Sequence, residues 1–127
     1  MNVIRVYSTD DGESHFQDVE LPTSLVPSGA YERSAVRPAG ETNFAIQPPG
    51  FFADWHPAPS RRFFVMISGV CEVGTSDGET RTFRGGDVLL LEDVTGRGHT
   101  MRVTGDSPRV AMHVTLEDSV SALDPPA

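Results

Sequence analysis

The chain of 127 residues contains no lysine, so arginine supplies all 10 of its positive side chains. Against these stand 18 acidic residues, which gives a formal net charge of -8 at pH 7. Binding to nucleic-acid phosphates depends on clustered lysine and arginine side chains. The acidic balance and the scattered arginines therefore argue against a nucleic-acid partner.

Cysteine and long apolar runs are also scarce. Cys71 is the only cysteine, which excludes a disulfide within the chain, and its apolar surroundings predict a small buried side chain. No apolar run is long enough to span a bilayer. Residues 1–5 lack the charged-then-apolar layout of a secretory signal. We therefore expect no membrane partner and a cytoplasmic location.

Glycine and proline are abundant, with 12 and 10 residues, and they divide the chain into short segments. Strand signals dominate, and helical periodicity is at most weak, near residues 116–123. The predicted strands cover residues 3–7, 16–21, 43–47, 63–68, 70–75, 79–83, 88–91, 100–104 and 109–116. One domain of many short strands joined by turns is typical of a β-sandwich or β-barrel.

Three segments follow from this pattern. Residues 1–39 are predicted to be an N-terminal arm with short strands, irregular from residue 22 onwards, where proline, serine and glycine are frequent. Residues 40–117 contain most of the predicted strands and are predicted to form the β-sandwich or β-barrel. Residues 118–127 are predicted to be a flexible C-terminal tail.

Two stretches of the predicted barrel carry polar residues at a characteristic spacing. The first contains His56 and Arg62 and ends at Gly69, and the second begins at Gly86 and ends at His99. This layout resembles the cupin superfamily, whose first motif contains H-x-H, a glutamate and a glycine, and whose second begins with Gly-Asp and ends in a lone histidine. The chain resembles a small single-domain bacterial cupin. The resemblance implies an all-β fold, the double-stranded β-helix or jelly-roll barrel.

The metal-binding part of the cupin pattern is incomplete in this chain. His56 and His99 match two of the histidines that the family uses, but Ala58 stands where the remaining histidine belongs. Arg62 stands where the family has its glutamate. Two imidazoles bind a divalent ion weakly, and a permanently charged guanidinium repels it. We therefore expect that the protein uses no cofactor.

The alternative is a metal site with a rebuilt set of ligands. Fe, Mn, Ni or Zn would then bind at His56 and His99. Asp54, two residues before His56, and His113, on the last predicted strand, are the candidates for the missing donors. The protein would then be a metal-dependent oxygenase or isomerase.

The resemblance also implies which side chains line the pocket of the barrel. The family's glutamate points inward, so alternation along the strand places Phe64 and Met66 on the inward face with Arg62. The same alternation places Met101 inward after His99. The predicted catalytic residues are His56, His99 and Arg62. The predicted substrate-binding residues are Trp55, Phe64, Met66, Met101 and His113.

These residue types suit acid–base chemistry on a small oxygenated molecule. The Arg62 guanidinium presents a rigid fork of donors that fits a carboxylate, an enolate or a phenolate. His56 and His99 are suited to act as general base and general acid. We therefore predict a metal-independent enzyme of the isomerase, cyclase or dehydratase type. A non-catalytic ligand-binding cupin is the third alternative.

The partners predicted from the sequence are a small-molecule ligand and a second copy of the chain. A small jelly roll leaves an apolar sheet face and open strand edges, which partner subunits normally cover. A twofold homodimer is the simplest closed assembly that covers them.

Overall fold

The computed structural model describes residues 1–117, which form twelve β-strands and no helix. In chain order the strands are β1 (Asn2–Ser8), β2 (Ser14–Glu20), β3 (Thr23–Leu25), β4 (Glu32–Ser34), β5 (Ala39–Gln47), β6 (Phe52–His56), β7 (Arg62–Ser68), β8 (Val70–Thr75), β9 (Thr80–Arg84), β10 (Val88–Glu92), β11 (His99–Val103) and β12 (Arg109–Leu116). Since these residues contain no helix, none of them forms a helix that is able to cross a membrane.

Two sheets enclose the core. The larger sheet has six strands in the order β2-β1-β10-β7-β12-β5, and the smaller has four in the order β6-β11-β8-β9. Neighbouring strands are antiparallel except β1 and β10, which are parallel. The buried core cluster joins side chains of the larger sheet, such as Phe64 and Leu89, to side chains of the smaller, such as Val73 and Val103. The two sheets therefore pack face to face as an all-β jelly roll, as predicted.

The first twenty residues are part of this sandwich. β1 pairs with β10 along four residues, and Val3 and Val6 are fully buried. β3 and β4 form a separate two-stranded sheet within the segment that the sequence analysis describes as irregular. The predicted tail, residues 118–127, lies outside the described residues.

Nine of the strands lie where the sequence predicts them, with ends that differ by a few residues. The sequence analysis missed β3, β4 and β6. Almost every residue of β6 is exposed, so this strand lacks the alternation of apolar and polar residues that reveals a half-buried strand. Leu116, where the weak helical pattern begins, belongs to strand β12.

Candidate functional site

A cavity of about 300 Å³ lies between the two sheets. This volume is at the lower end of the range of about 300–1,000 Å³ that is usual for small-molecule sites. The polar residues that line it are Gln47, His56, Arg62, His99, Arg109 and His113. The rest of the lining is apolar and includes Phe51, Phe64, Leu89 and Met101. A small, partly apolar ligand is therefore the kind of molecule that the cavity accommodates.

The two motif histidines lie side by side on the smaller sheet. His56 on β6 is the register partner of His99 on β11, and their ring centroids are 4.7 Å apart. Gly98 makes this pairing possible. Its φ is +73°, and a Cβ atom there would overlap the backbone carbonyl of His56. Only glycine combines that backbone conformation with so close an approach.

A buried carboxylate holds His99 in place. Asp93 is fully buried, and its Oδ2 lies 2.6 Å from Nδ1 of His99. Since the carboxylate accepts, Nδ1 of His99 carries the proton and Nε2 is left as an acceptor. The other carboxylate oxygen of Asp93, Oδ1, is buried and has no hydrogen-bond partner. The sequence analysis missed Asp93, because its position after the apolar run of β10 is typical of a loop.

His56 has the same tautomer for a different reason. Its Nδ1 lies 2.6 Å from the backbone carbonyl oxygen of Asp54. A carbonyl oxygen only accepts hydrogen bonds, so Nδ1 of His56 is the donor and its Nε2 is free to accept. His56 is exposed, whereas His99 is buried. The pair therefore combines one imidazole in contact with solvent and one shielded from it.

The larger sheet contributes two arginines to the opposite wall. Arg62 donates from Nε to the carbonyl oxygen of Ser60 at 3.1 Å and from Nη2 to Oγ of Ser60 at 2.9 Å. Arg109 is only 2% exposed, and its guanidinium lies 3.9 Å from the ring centroid of Phe64. Arg109 also donates to Oε1 of Gln47 at 2.7 Å. Burial lowers the pKa of Arg109.

His113 lies on the same wall as the arginines. Its ring centroid is 4.1 Å from that of Phe64, and its Nε2 is buried without a hydrogen-bond partner. Burial, followed by the positive charges of Arg62 and Arg109, lowers the pKa of His113 to about 4. His113 is therefore neutral near pH 7.

Three other partly buried arginines pair with carboxylates, unlike the two arginines of this wall. Arg5 and Arg61, on the outside of the larger sheet, each donate from Nε to Glu92 at 2.7 Å. Arg81, also partly buried, pairs with Asp18 and Glu79. Within residues 1–117, neither Arg62 nor Arg109 forms an ion pair with a carboxylate. The cavity thus contains positive charge that the described part of the chain does not neutralise.

Comparison with known proteins bears on the fold. No family model matches the sequence, and no curated protein matches it. A Cupin 2 conserved barrel domain protein from Salinispora arenicola is 23% identical, with 61% of this chain and 63% of that chain covered and a TM-score of 0.51. A conserved protein with a double-stranded β-helix domain from Klebsiella pneumoniae is 19% identical, with 72% and 82% covered and a TM-score of 0.51. The chain has the double-stranded β-helix fold of these proteins.

The likeness to these structures combines a shared fold with low sequence identity. A third structure, described as a sugar phosphate isomerase from a cupin superfamily, from Silicibacter pomeroyi, is 16% identical, with 84% of this chain and 60% of that chain covered and a TM-score of 0.50. The chain therefore spans less than two thirds of the length of the Salinispora and Silicibacter proteins. At such identities the likeness establishes the fold, and the chemistry depends on the side chains of the site.

The predicted substrate-binding residues are only partly brought together. Phe64, Met101 and His113 line the cavity. Trp55 does not. It is 42% exposed, and the guanidinium of Arg97 lies 4.9 Å from its ring centroid. Met66 is buried in the core outside the cavity lining, where its sulfur accepts a hydrogen bond from Nε of Arg109 at 3.1 Å. The Arg109 side chain thus contacts the Met66 sulfur and also reaches the cavity.

Arg109 is another residue of the cavity that the sequence analysis missed, as is its partner Gln47. A signal was present. Side chains alternate between the two faces of a strand, which places Arg109, Ala111 and His113 on the same face of β12. Since His113 was a candidate for turning inward, the same alternation predicts that Arg109 turns inward as well. The signal is weak, because arginine at the start of a strand is usually solvated.

Within residues 1–117 the candidate donors do not make a complete metal site. No group of three or more His, Cys, Asp or Glu side chains within residues 1–117 is placed to hold a metal ion. The Nδ1 hydrogen bonds of His56 and His99 do resemble those of metal-binding histidines. Catalytic metal sites nevertheless use about three protein ligands, and here two imidazoles share a cavity with the Arg62 guanidinium. Asp54 adds no ligand to the lining, and its Oδ1 accepts from the backbone amide of Trp55 at 2.8 Å.

Proposed function

We propose that this cupin binds a small oxygenated organic anion in the cavity and catalyses proton transfer on it without a metal ion. The observation that carries the proposal is the opposition of two walls. His99, held by Asp93, and His56 form one wall, and the unneutralised guanidinium groups of Arg62 and Arg109 belong to the other. A base beside a source of positive charge is what proton removal next to a carbonyl group requires.

In the proposed reaction, His99 is the general base. Its Nε2 takes a proton from a carbon atom next to the carbonyl group of the substrate, and the carboxylate of Asp93 stabilises the imidazolium that results. The electron pair of the broken C–H bond moves to the carbonyl oxygen and forms an enolate. Arg62 donates hydrogen bonds to that oxygen, where the negative charge develops.

His56 is the proposed general acid. Its exposure allows it to take up a proton from water, and the protonated form delivers that proton to the enolate or to a leaving oxygen. Return of the proton to a different carbon gives isomerisation, loss of an oxygen as water gives dehydration, and attack of the enolate on a second carbonyl group gives ring closure. These are the isomerase, dehydratase and cyclase reactions that the sequence analysis predicts.

A test of this function is hydrogen exchange with solvent. The full chain, treated with a chelator, is incubated in D₂O with a panel of 2-oxo and 3-oxo carboxylates, and proton NMR follows the loss of C–H signals. We expect exchange by the wild-type protein and a loss of about 100- to 10,000-fold in its rate in His99→Ala. His15→Ala is the matched control, because His15 bonds to Asp77 and lies outside the cavity lining. Equal rates in the two variants would contradict the proposal.

A metal-dependent oxygenase or isomerase is the second candidate, and the Nδ1 hydrogen bonds of the two histidines favour it. Elemental analysis of protein purified without added metal separates the two. About one Fe, Mn, Ni or Zn per chain, lost in His99→Ala, would support the second candidate. Retention of a carboxylate without any exchange would instead support a non-catalytic ligand-binding cupin.

We further propose a homodimer formed through the outer face of the larger sheet. Phe44 and Ile46 on the edge strand β5 are 67% and 73% exposed, and they pair in register with Met112 and Val110 of β12. These residues form an apolar stripe that a second copy would cover. Light scattering should show a dimer that dissociates in Phe44→Asp. The control Leu25→Asp also charges an exposed apolar position, on β3, and should leave the dimer intact.

Cytoplasmic location remains a prediction. Fractionation of the cells that produce the protein, with detection of the full chain in each fraction, tests it.

A further inference from the structure

Arg109 is a buried cation surrounded by neutral groups. Its guanidinium lies over the ring of Phe64, and its nitrogens donate to Oε1 of Gln47 at 2.7 Å and to the sulfur of Met66 at 3.1 Å. The sulfur of Met101 lies 3.8 Å from Nη1. Each of these partners is polarisable or dipolar, but none carries a negative charge. The Cys71 thiol also interacts with Arg109, and burial raises its pKa, so it is neutral near pH 7.

A buried charge without a counter-charge is unfavourable, and proteins normally provide one. This chain has 18 acidic residues against 10 arginines, so carboxylates are not scarce. In the described part of the chain they pair with Arg5, Arg61 and Arg81 and leave Arg109 unneutralised. Because Arg109 lines the cavity, a negatively charged ligand would supply what the protein does not.

His113 provides an independent observation at the same place. Its Nε2 is buried, makes no hydrogen bond and belongs to a residue that lines the same cavity. A buried polar atom without a partner normally requires an explanation, such as a ligand that completes its hydrogen bonding. The side chain lies against the Phe64 ring, which Arg109 also contacts. An oxygen-bearing ligand placed over Phe64 would therefore meet both groups.

We propose that the ligand is an organic monocarboxylate whose carboxylate group is bound by Arg109, with His113 as an additional hydrogen-bonding partner. This inference deepens the proposed function, and rests on it, by naming the chemical class of the substrate. The apolar body of the molecule lies against Leu89 and Met101, which also line the cavity. The planar guanidinium matches two carboxylate oxygens. The small, mostly apolar lining favours one carboxylate over a phosphate, which needs more donors.

The first arm of the test compares two molecules of the same shape. Binding of benzoate and of benzamide to the full-length wild-type chain is measured by calorimetry, with inorganic phosphate as a third probe. We expect benzoate to bind at least about tenfold more tightly than benzamide, since hydrogen bonds to charged groups contribute that much. Equal affinity, no binding of benzoate, or binding of phosphate alone would overturn the proposal.

The second arm assigns the preference to one residue. In Arg109→Met the preference should disappear, so that benzoate and benzamide bind with about equal affinity. The matched control is Arg102→Met, since Arg102 is an exposed arginine that lies over Phe52 at 4.4 Å, and this variant should keep the preference. An unchanged preference in a folded Arg109→Met variant would overturn the proposal. If that variant does not fold, the comparison of benzoate with benzamide in the wild type still decides.

A third readout is the titration of His113, followed by NMR. A bound carboxylate beside the ring should raise the pKa of His113 from about 4, because the anion offsets the charges of the two arginines. Benzamide should not raise it, and a pKa that benzoate leaves unchanged would contradict the placement of the carboxylate. Failure of hydrogen exchange alone would leave carboxylate binding standing, so the two proposals fail separately.

Discussion

The two walls of the cavity contribute opposite kinds of chemistry. On the smaller sheet, both histidines have their Nδ1 atoms fixed by acceptors, a buried carboxylate for His99 and a backbone carbonyl for His56. On the larger sheet, Arg109 is buried with no carboxylate from residues 1–117 beside it, and Nε2 of His113 has no partner among the same residues. The first wall provides acceptors for both of its histidines, although Oδ1 of Asp93 is buried without a partner within residues 1–117. The second wall provides no carboxylate for its buried guanidinium. On this difference rest the two proposals, proton transfer at the first wall and anion binding at the second.

The largest expected effect concerns the histidine wall, which His56 and His99 form. It tests whether proton transfer there is separate from ligand binding. Asp93→Asn removes the charge that stabilises protonated His99, and an amide no longer fixes its tautomer. We expect the rate of hydrogen exchange to fall by about 100- to 1,000-fold. Affinity for benzoate should stay within about twofold of the wild type, because Asp93 does not line the cavity. A variant that loses benzoate affinity and exchange together would remove the distinction between the walls.

The geometry of the histidine wall depends on Gly98, and its replacement should have the next largest effect. In Gly98→Ala the new methyl group overlaps the carbonyl of His56, and the backbone has a φ of +73°. We expect a loss of about 3 kcal/mol in the free energy of unfolding, measured with urea. Gly78→Ala is the control, since its φ is +92° but no atom lies within 4 Å of the added Cβ. It should lose only about 1–2 kcal/mol, and equal losses would show that the close approach costs nothing.

The arginine wall is formed by Arg62, Arg109 and His113. Replacing Arg109 there should not lower the free energy of unfolding, in contrast to the replacement of Gly98. Arg109→Met replaces a buried, unneutralised guanidinium with an apolar side chain that fits among Phe64, Met66 and Met101. We expect the free energy of unfolding, measured without ligand, to stay the same or to rise by about 1 kcal/mol. A clear decrease would show that Arg109 supports the fold rather than the ligand.

The smallest effect concerns the pH dependence of stability. His113 has a pKa of about 4 in the folded chain and an unperturbed value of 6.5. As the pH falls from about 6.5 to about 4, the unfolded chain takes up a proton that the folded chain does not, so this residue lowers the stability over that range. Above pH 6.5 it contributes no change. His113→Gln should therefore lose less stability than the wild type between pH 7 and pH 5 in urea unfolding. An identical pH dependence in both proteins would contradict the depressed pKa.

Several site residues could be predicted because strand alternation is a local property. Arg62 and Phe64 share a face of β7, and both line the cavity, as alternation predicts. Met66 continues the same face but lies outside the lining, where it contacts the guanidinium of Arg109 instead. The contact between β7 and β12 that brings these two residues together joins positions 43 residues apart. Local periodicity contains no information about such a contact.

By itself, the sequence determined most of the strand pattern and the spacing of His56, Arg62 and His99. The resemblance to cupins added that Arg62 stands where that family has a glutamate. Only the tertiary structure decided which charges are neutralised. Asp93 meets His99, Glu92 meets Arg5 and Arg61, and Arg109 meets no carboxylate within residues 1–117. The physical reason is that an ion pair depends on distances across sheets and turns, whereas spacing along a strand reports only the face on which a side chain lies.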